Sequence, residues 1–136
     1  MRPRIPQIKE QALRIGQSEE TTEHKVVFSF ERIQAGKYCF TKLRSQCKAD
    51  ISDAIYDRRA FTWKVLQLSG KARLGTEKIP ISSLRVDMPD FITPDAKHVL
   101  AIRYGPNNSK KRILGYIVEH VFFVLWIDST GEMYEH

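Results

Sequence analysis

Three apolar segments near the C-terminus constrain the fold more than any other feature of the chain. They read HVLAIRYG, KRILGYIVEH and VFFVLWID; the turn-rich GPNNSK joins the first two, and Glu119-His120 joins the last two. Short runs of β-branched and aromatic residues bounded by turn residues are typical of antiparallel strands. The sequence therefore predicts three consecutive antiparallel strands in this region.

The register of the last two strands follows from the length of their turn. A two-residue turn places Val118 opposite Val121. The same register predicts three further opposed pairs on that face of the hairpin, Tyr116 with Phe123, Leu114 with Leu125 and Arg112 with Ile127, and three on the other face, Ile117 with Phe122, Gly115 with Val124 and Ile113 with Trp126. Because both faces are apolar, we expect helices to cover one side and other segments to shield part of the other.

Residues 24–97 carry the patterns of a strand, two helices and an edge strand. HKVVFSFERI (24–33) alternates apolar and polar residues, which predicts a strand. From 41 to 54 apolar residues recur every three or four positions, as in a half-buried helix, and AFTWKVLQL (60–68) predicts a second, shorter helix that buries Trp63. KARLGTEKIPI predicts a short edge strand, and the proline-bearing residues 79–97 predict an ordered surface loop.

The chain length fits one domain. A chain of 136 residues can bury a core without disulfides or metals. Residues 1–24 are interpreted as an N-terminal arm, in which Ile8, Ala12 and Ile15 mark one face of a short helix. Residues 25–136 are predicted to form a single α+β domain whose antiparallel sheet packs against two helices. The closing DSTGEMYEH adds a Gly131 turn and a short last strand.

Cysteine usage and hydropathy favour a cytoplasmic protein. Cys39 and Cys47 lack the spacing of a metal or redox motif, so they indicate ordinary thiols in a reducing compartment. The N-terminus lacks the apolar core of a signal peptide, and no segment reaches the roughly 18 apolar residues that a membrane span requires. No membrane partner is therefore expected.

Positive charge is concentrated in two segments. The formal net charge is +6 and the pI is about 9.4. Residues 58–85 carry many basic residues against a single acid, Glu77, and residues 103–112 carry further basic residues and no acid. If the two segments converge in space they form a site for a polyanion; otherwise they are a solvated face that keeps the protein soluble.

The chain lacks the motifs of nucleotide-binding folds and common hydrolases. No P-loop, GxGxxG, GxSxG or HExxH occurs, and the histidines are scattered without ligand spacing, so neither a metal nor a cofactor is expected. The side chains that remain are Lys, Arg, Tyr and His. They can perform proton transfer and charge stabilisation in RNA cleavage through the 2′-hydroxyl, or they can hold phosphates and stack on bases without chemistry.

Pairing of the first two C-terminal strands brings Arg103 close to Arg112. Two guanidinium groups side by side on neighbouring strands repel each other unless an anion lies between them. That anion is either a bound phosphate or a carboxylate of the protein. The sequence favours these residues for the carboxylate: Glu119, Asp128 or Asp95.

The element order and the C-terminal motifs resemble the RelE/ParE/HigB superfamily of toxin domains. VLAIRYG followed by KKRILGYIVEHVFFVLWID is similar to the family's ELR…yRIfy…d.ivlL stretch, with Arg103 and Arg112 at its two arginines. The closing EMYEH is similar to the family's vY or HY, at Tyr134 and His136. The resemblance implies a RelE-like fold and a ribosome-associated, metal-independent mRNA endoribonuclease that an antitoxin protein neutralises.

The resemblance and the charge pattern assign candidate roles. In the implied reaction Arg112 stabilises the phosphate charge, Arg103 orients the phosphate, and Tyr134 or His136 transfers a proton. The predicted RNA contacts are Lys71, Arg73, Tyr104, Lys110 and Lys111. The alternative is a non-catalytic module, either an inhibitor or an accessory protein, that uses the same basic face for nucleic acid or an acidic protein. ParE-type members of the superfamily bind gyrase and cleave nothing.

Overall fold

The computed structural model describes residues 23–68, 75–106 and 109–136, which form a five-stranded sheet with two helices. The elements are, in chain order, β1 (Val27–Ser29), α1 (Ser45–Asp57), α2 (Trp63–Leu68), β2 (Thr76–Pro80), β3 (His98–Arg103), β4 (Arg112–Val118) and β5 (Val121–Asp128). Short 3-10 turns occur at Phe40–Lys42 and Ile81–Ser83. The predicted α+β arrangement, including the edge strand and the three C-terminal strands, is confirmed. The predicted helix in the arm lies outside the described residues.

The sheet has the strand order β1-β5-β4-β3-β2 and is mixed. β1 runs parallel to β5, with Val27 beside Val121, whereas the other neighbours are antiparallel. The prediction of a wholly antiparallel sheet is therefore wrong at this edge. Parallel neighbours need a long connection, and most of the domain lies between β1 and β5. β1 is also shorter than the predicted strand and has only three residues. The chain turns beyond Ser29, where the Ile33 amide donates a hydrogen bond to the Phe30 carbonyl at 3.2 Å.

A β-bulge in β5 changes the register of the last hairpin. The pairs nearest the turn agree with the prediction, but the register shifts by one residue beyond them. Leu114 no longer pairs with Leu125, which becomes the extra residue of the bulge. Arg112 consequently lies opposite Asp128, and its predicted pairing with Ile127 is wrong.

The two helices cover one face of the sheet, which we call the helix face. They bury Cys47, Ile51, Ala54, Trp63 and Leu66 against the central strands. The Trp63 side chain is inaccessible to solvent, and its indole N–H donates to a carbonyl of the β4–β5 turn at 2.8 Å. Its predicted place in the core is confirmed.

The loop between β2 and β3 covers the opposite face, which we call the loop face. Leu84, Val86, Met88 and Phe91 pack there against the buried ring of Tyr116 and its neighbours. This confirms the prediction of an ordered loop in a region where prolines prevent regular structure. Both faces of the central strands are therefore covered, as their apolar sequence requires.

Residues 129–136 form a turn and a returning segment, not the predicted last strand. Asp128 is fully buried and accepts hydrogen bonds from the amides of Thr130, Gly131, Glu132 and Met133. Amides that bind a side-chain carboxylate cannot pair with a strand at the same time. The segment then returns along the loop face.

Candidate functional site

Arg103 and Arg112 lie opposite each other on β3 and β4. Their side chains therefore share the loop face, as the sequence predicts. Arg112 is 7% exposed, and its Nη1 donates to the backbone oxygens of Ser109 at 3.1 Å and Lys111 at 3.0 Å. Nη2 of Arg103 lies 3.5 Å from the same Ser109 oxygen. The protein itself thus holds the guanidinium of Arg112 in a fixed orientation.

Glu77, on the edge strand β2, supplies the carboxylate next to Arg112. Its Oε1 lies 3.4 Å from Nε of Arg112 and accepts a hydrogen bond from the hydroxyl of Tyr134 at 3.2 Å. The carboxylate thus links a cation of β4 to the returning C-terminal segment. The sequence named Glu119, Asp128 or Asp95 as the carboxylate between the two arginines. For Arg112 this prediction is wrong, because Glu77 is its ion-pair partner.

His136 stacks on Tyr134 at the same place. Their ring centroids are 4.4 Å apart and the rings are inclined by 30°. Burial, and then the positive charge of Arg112, lower the pKa of His136 below its ordinary value of 6.5, and Glu77 opposes that shift. We call Glu77, Arg112, Tyr134 and His136 the Arg112 cluster. It combines a carboxylate, a guanidinium, a phenol and an imidazole.

The environment of Tyr134 limits what its hydroxyl can do. The residue is 3% exposed, and burial, followed by the negative charge of Glu77, raises the pKa of the hydroxyl. At neutral pH it therefore stays protonated and donates its hydrogen bond to Glu77. A protonated phenol cannot be a general base, so proton uptake in the Arg112 cluster falls to Glu77 or His136.

A second buried arginine holds the strand end that carries Arg103. Arg58 follows α1 and is 1% exposed; it donates to the carbonyls of Ala54 at 2.8 Å and Arg103 at 3.3 Å. Burial lowers the pKa of Arg58 to about 10, which leaves it charged at neutral pH. Arg58 therefore ties the C-terminal end of α1 to the end of β3.

Tyr104 and Lys111 lie on the helix face, away from the Arg112 cluster. Tyr104 is 2% exposed and belongs to the helix-face core. Nζ of Lys111 contacts the carboxylate of Asp50 on α1 at 3.2 Å and lies 6.0 Å from the centre of the Tyr104 ring. Burial leaves this ring no surface on which a base can stack, so its position does not support the predicted RNA contact.

Lys110 lies on the same side as the Arg112 cluster. It is exposed, and its positive charge acts on His136. The remaining RNA contacts predicted from the sequence, Lys71 and Arg73, lie outside the described residues. Arg103, Lys110 and Arg112 therefore bring the charge of one basic segment, residues 103–112, to the Arg112 cluster, and its convergence with the other basic segment stays a prediction.

Sequence reasoning missed Glu77, although the sequence carries one signal for it. Glu77 is the single acid in the basic segment 58–85 and falls within a predicted edge strand. An isolated acid among bases is a candidate partner for a buried cation. Its contact with Arg112 depends on the strand order of the sheet, which the local pattern does not specify.

The described part of the chain shows no group of metal-ligating residues and no membrane-spanning helix, and the sequence resembles no known protein closely enough to match it. Within residues 23–68, 75–106 and 109–136, no group of three or more His, Cys, Asp and Glu residues could hold a metal ion. None of the helices described has the length and apolar composition to cross a membrane. No protein-family model, curated protein or solved structure matches the chain.

Proposed function

We propose that the chain is a RelE-like toxin domain that acts on RNA. In this proposal it is a basic cytoplasmic protein that cleaves mRNA at the ribosome without a metal ion, and an antitoxin protein neutralises it. The Arg112 cluster is the observation that carries the proposal, because it places a carboxylate and an imidazole around a fixed guanidinium. The order of one strand, two helices and a run of antiparallel strands also agrees with the resemblance.

Glu77 is the general base and His136 the general acid of the proposed reaction. Glu77 accepts the proton of a ribose 2′-hydroxyl while the 2′ oxygen forms a bond to phosphorus. The imidazolium form of His136 donates a proton to the 5′ oxygen while the bond from that oxygen to phosphorus breaks. The products are a 2′,3′-cyclic phosphate and a 5′-hydroxyl, so the step needs neither water nor an oxidant.

The arginines stabilise the negative charge that develops on the phosphate in this reaction. Backbone oxygens already orient Arg112, so its donors need little reorganisation when the substrate arrives. Arg103, on the neighbouring strand, orients the same phosphate. Tyr134 donates to Glu77 and stacks on His136, so it aligns the base with the acid.

A non-catalytic binding module is the second candidate function. Arg112 is largely buried and compensated by Glu77, and Lys111 pairs with Asp50. The protein thus neutralises part of the charge that the sequence assigns to an RNA surface. This observation favours an inhibitor or accessory protein that binds an acidic protein or nucleic acid without cleaving it.

Induced expression, followed by mapping of mRNA 5′ ends, tests the proposal in cells. Wild-type protein should arrest growth and create new mRNA ends, and Arg112→Ala should abolish both effects, because loss of one electrostatic contact made in the transition state costs about 10²–10³-fold in rate. Circular dichroism of the purified variant checks that it folds.

Arg59→Ala is the matched control for charge. Arg59 is exposed and lies over the ring of Tyr56, at the end of α1. The change removes the same charge outside the Arg112 cluster, so growth arrest should persist. Harmless expression of wild-type protein, with intact mRNA and ribosomes, would reject the toxin proposal in favour of the binding module.

A further inference from the structure

Asp128 is a fully buried carboxylate whose hydrogen bonds come from the turn that follows β5. Its Oδ1 accepts hydrogen bonds from the amides of Gly131 at 2.9 Å, Thr130 at 3.2 Å and Glu132 at 3.3 Å. Its Oδ2 accepts one from the amide of Met133 at 2.9 Å. Hydrogen bonds to an ionised carboxylate are short and strong, and they compensate the burial of its charge.

These bonds shape the turn that leads into the Arg112 cluster. Met133 is fully buried on the loop face, and Tyr134 follows it directly. The bulge in β5 also places Asp128 opposite Arg112. One side chain therefore fixes both the strand end beside the guanidinium and the segment that returns to it.

The returning segment has a second attachment, which is at the surface. The Glu132 carboxylate accepts a hydrogen bond from the hydroxyl of Tyr38 at 2.6 Å and pairs with Lys37, and Arg85 donates to the Glu132 carbonyl at 3.0 Å. The Lys37 ion pair is exposed, and exposed pairs contribute little to stability. The buried carboxylate of Asp128 is therefore the stronger attachment.

We infer that Asp128 is a positioning residue, which holds the backbone of residues 130–133 so that Tyr134 and His136 stay beside Arg112. Its meaning for catalysis rests on the proposed function. The hydrogen bonds of the Asp128 carboxylate come from the amides of the turn and from the Thr130 hydroxyl, so Asp128 acts through the turn and not on the reacting atoms. Asp128 thereby aligns His136, the proton donor of the proposed reaction, with the phosphate.

Asp128→Asn tests the inference, because the amide nitrogen of asparagine cannot accept the hydrogen bonds that one carboxylate oxygen accepts. The returning segment should loosen, and cleavage of single-stranded RNA should fall about 10²-fold in kcat with a smaller change in KM. NMR titration should find the pKa of His136 raised toward 6.5, since the burial that lowers it is lost. If the variant only lost the negative charge, the pKa of His136 would fall further, because the Asp128 carboxylate raises it.

Thr130→Val is the matched control, since it removes the hydroxyl contacts of Thr130 with Asp128, at 3.4 Å, and with the Glu132 side chain, but keeps the backbone amide that Asp128 binds. It should leave both the pKa of His136 and kcat close to wild-type values. An unchanged or lowered pKa of His136 in folded Asp128→Asn would overturn the inference.

If Asp128→Asn does not fold, hydrogen exchange of the wild-type protein tests whether Asp128 holds the backbone of residues 130–133. The amides of Gly131 and Met133 should exchange slowly, and exchange as fast as in exposed loops would overturn the inference. These NMR measurements need no RNA. A wild-type protein that cleaves no RNA would therefore reject the proposed function, while the exchange and titration data still decide the role of Asp128.

Discussion

At the scale of the residue, Glu77 and Arg112 form a largely buried pair whose members have separate tasks in the proposed reaction. Glutamine at position 77 keeps the shape and one acceptor oxygen but cannot take up a proton. We therefore expect Glu77→Gln to lower the rate of cleavage of synthetic single-stranded RNA by about 10²–10⁴-fold. The free energy of unfolding, measured with urea, should change by only about 1–3 kcal/mol.

The control for Glu77→Gln is Glu23→Gln. Glu23 is exposed, and its carboxylate lies 3.8 Å from the ammonium of Lys64. This variant should cleave RNA like the wild type. Equal rates for Glu77→Gln and wild type would leave Glu77 as a counter-ion of Arg112 and remove it from the chemistry.

The lowered pKa of His136 leads to a prediction for the pH dependence of cleavage. The general acid must be protonated, and burial together with Arg112 lowers the pKa of His136 below 6.5. As pH rises through that lowered pKa the protonated fraction falls, so kcat/KM should decline on the alkaline side with a midpoint below 6.5. A pH series of kcat/KM for wild type and His136→Gln measures this limb, which should be missing in the variant. A rate that rises with pH through that lowered pKa and then levels off would make His136 the base instead.

The sequence allowed some members of the site to be predicted. Arg103 and Arg112 follow from hairpin pairing, which is a local property of two strands and a turn. Glu77 could not be placed beside them, because its contact crosses from another strand and depends on strand order. Tyr104 illustrates the opposite error: it follows Arg103 directly, but successive residues of an extended chain face opposite sides, and its ring is buried on the helix face.

At the scale of the element, Gly115 lies next to the bulge of the last hairpin, where the backbones of β4 and β5 come very close. A Cβ at this position would overlap the backbone oxygen of Phe123 and lie 2.9 Å from the ring of Phe122. We expect Gly115→Ala to lower the free energy of unfolding by about 3 kcal/mol, the upper end of the usual cost of overpacking, because backbone atoms cannot move aside as a flexible side chain can. Urea denaturation measures the change.

The control for Gly115→Ala is Ser82→Ala, at an exposed position in a 3-10 turn. Its effect should stay within about 0.5 kcal/mol. If Gly115→Ala proved equally mild, β4 and β5 would not approach each other as closely as described at this point.

Apolar periodicity is sufficient to predict most of the elements of this chain. Cys47, Ile51 and Ala54 recur on one side of α1, and the structure buries all three. The parallel pairing of β1 was not predictable, because it joins segments that are distant in sequence. The Gly131 turn after β5 was predicted, but the last strand expected beyond it was wrong for another reason: Asp128 ends an apolar strand, and nothing in the local pattern distinguishes a solvated aspartate from one that binds four amides.

At the scale of the whole molecule, the positive charge is divided between the two faces of the sheet. Arg103 and Arg112 share the loop face, whereas Lys111 contacts α1 on the helix face. The net charge of +6 therefore overstates the charge that one polyanion can contact on a single face. An RNA strand bound at the Arg112 cluster should meet Lys110 and the arginines rather than the whole basic sequence.

This division of charge leads to a prediction for RNA binding. Affinity for single-stranded RNA should fall linearly with salt on a log-log plot, because each phosphate contact releases counterions. Lys110→Ala should reduce the slope by about 0.7, the contribution of one phosphate contact on a single strand.

Lys48→Ala, which removes the same charge from an exposed position of α1, should leave the slope unchanged. Filter binding at several salt concentrations measures both slopes. Equal decreases for the two variants would indicate diffuse attraction over the whole surface, and an affinity independent of salt would point to a protein partner at the loop face.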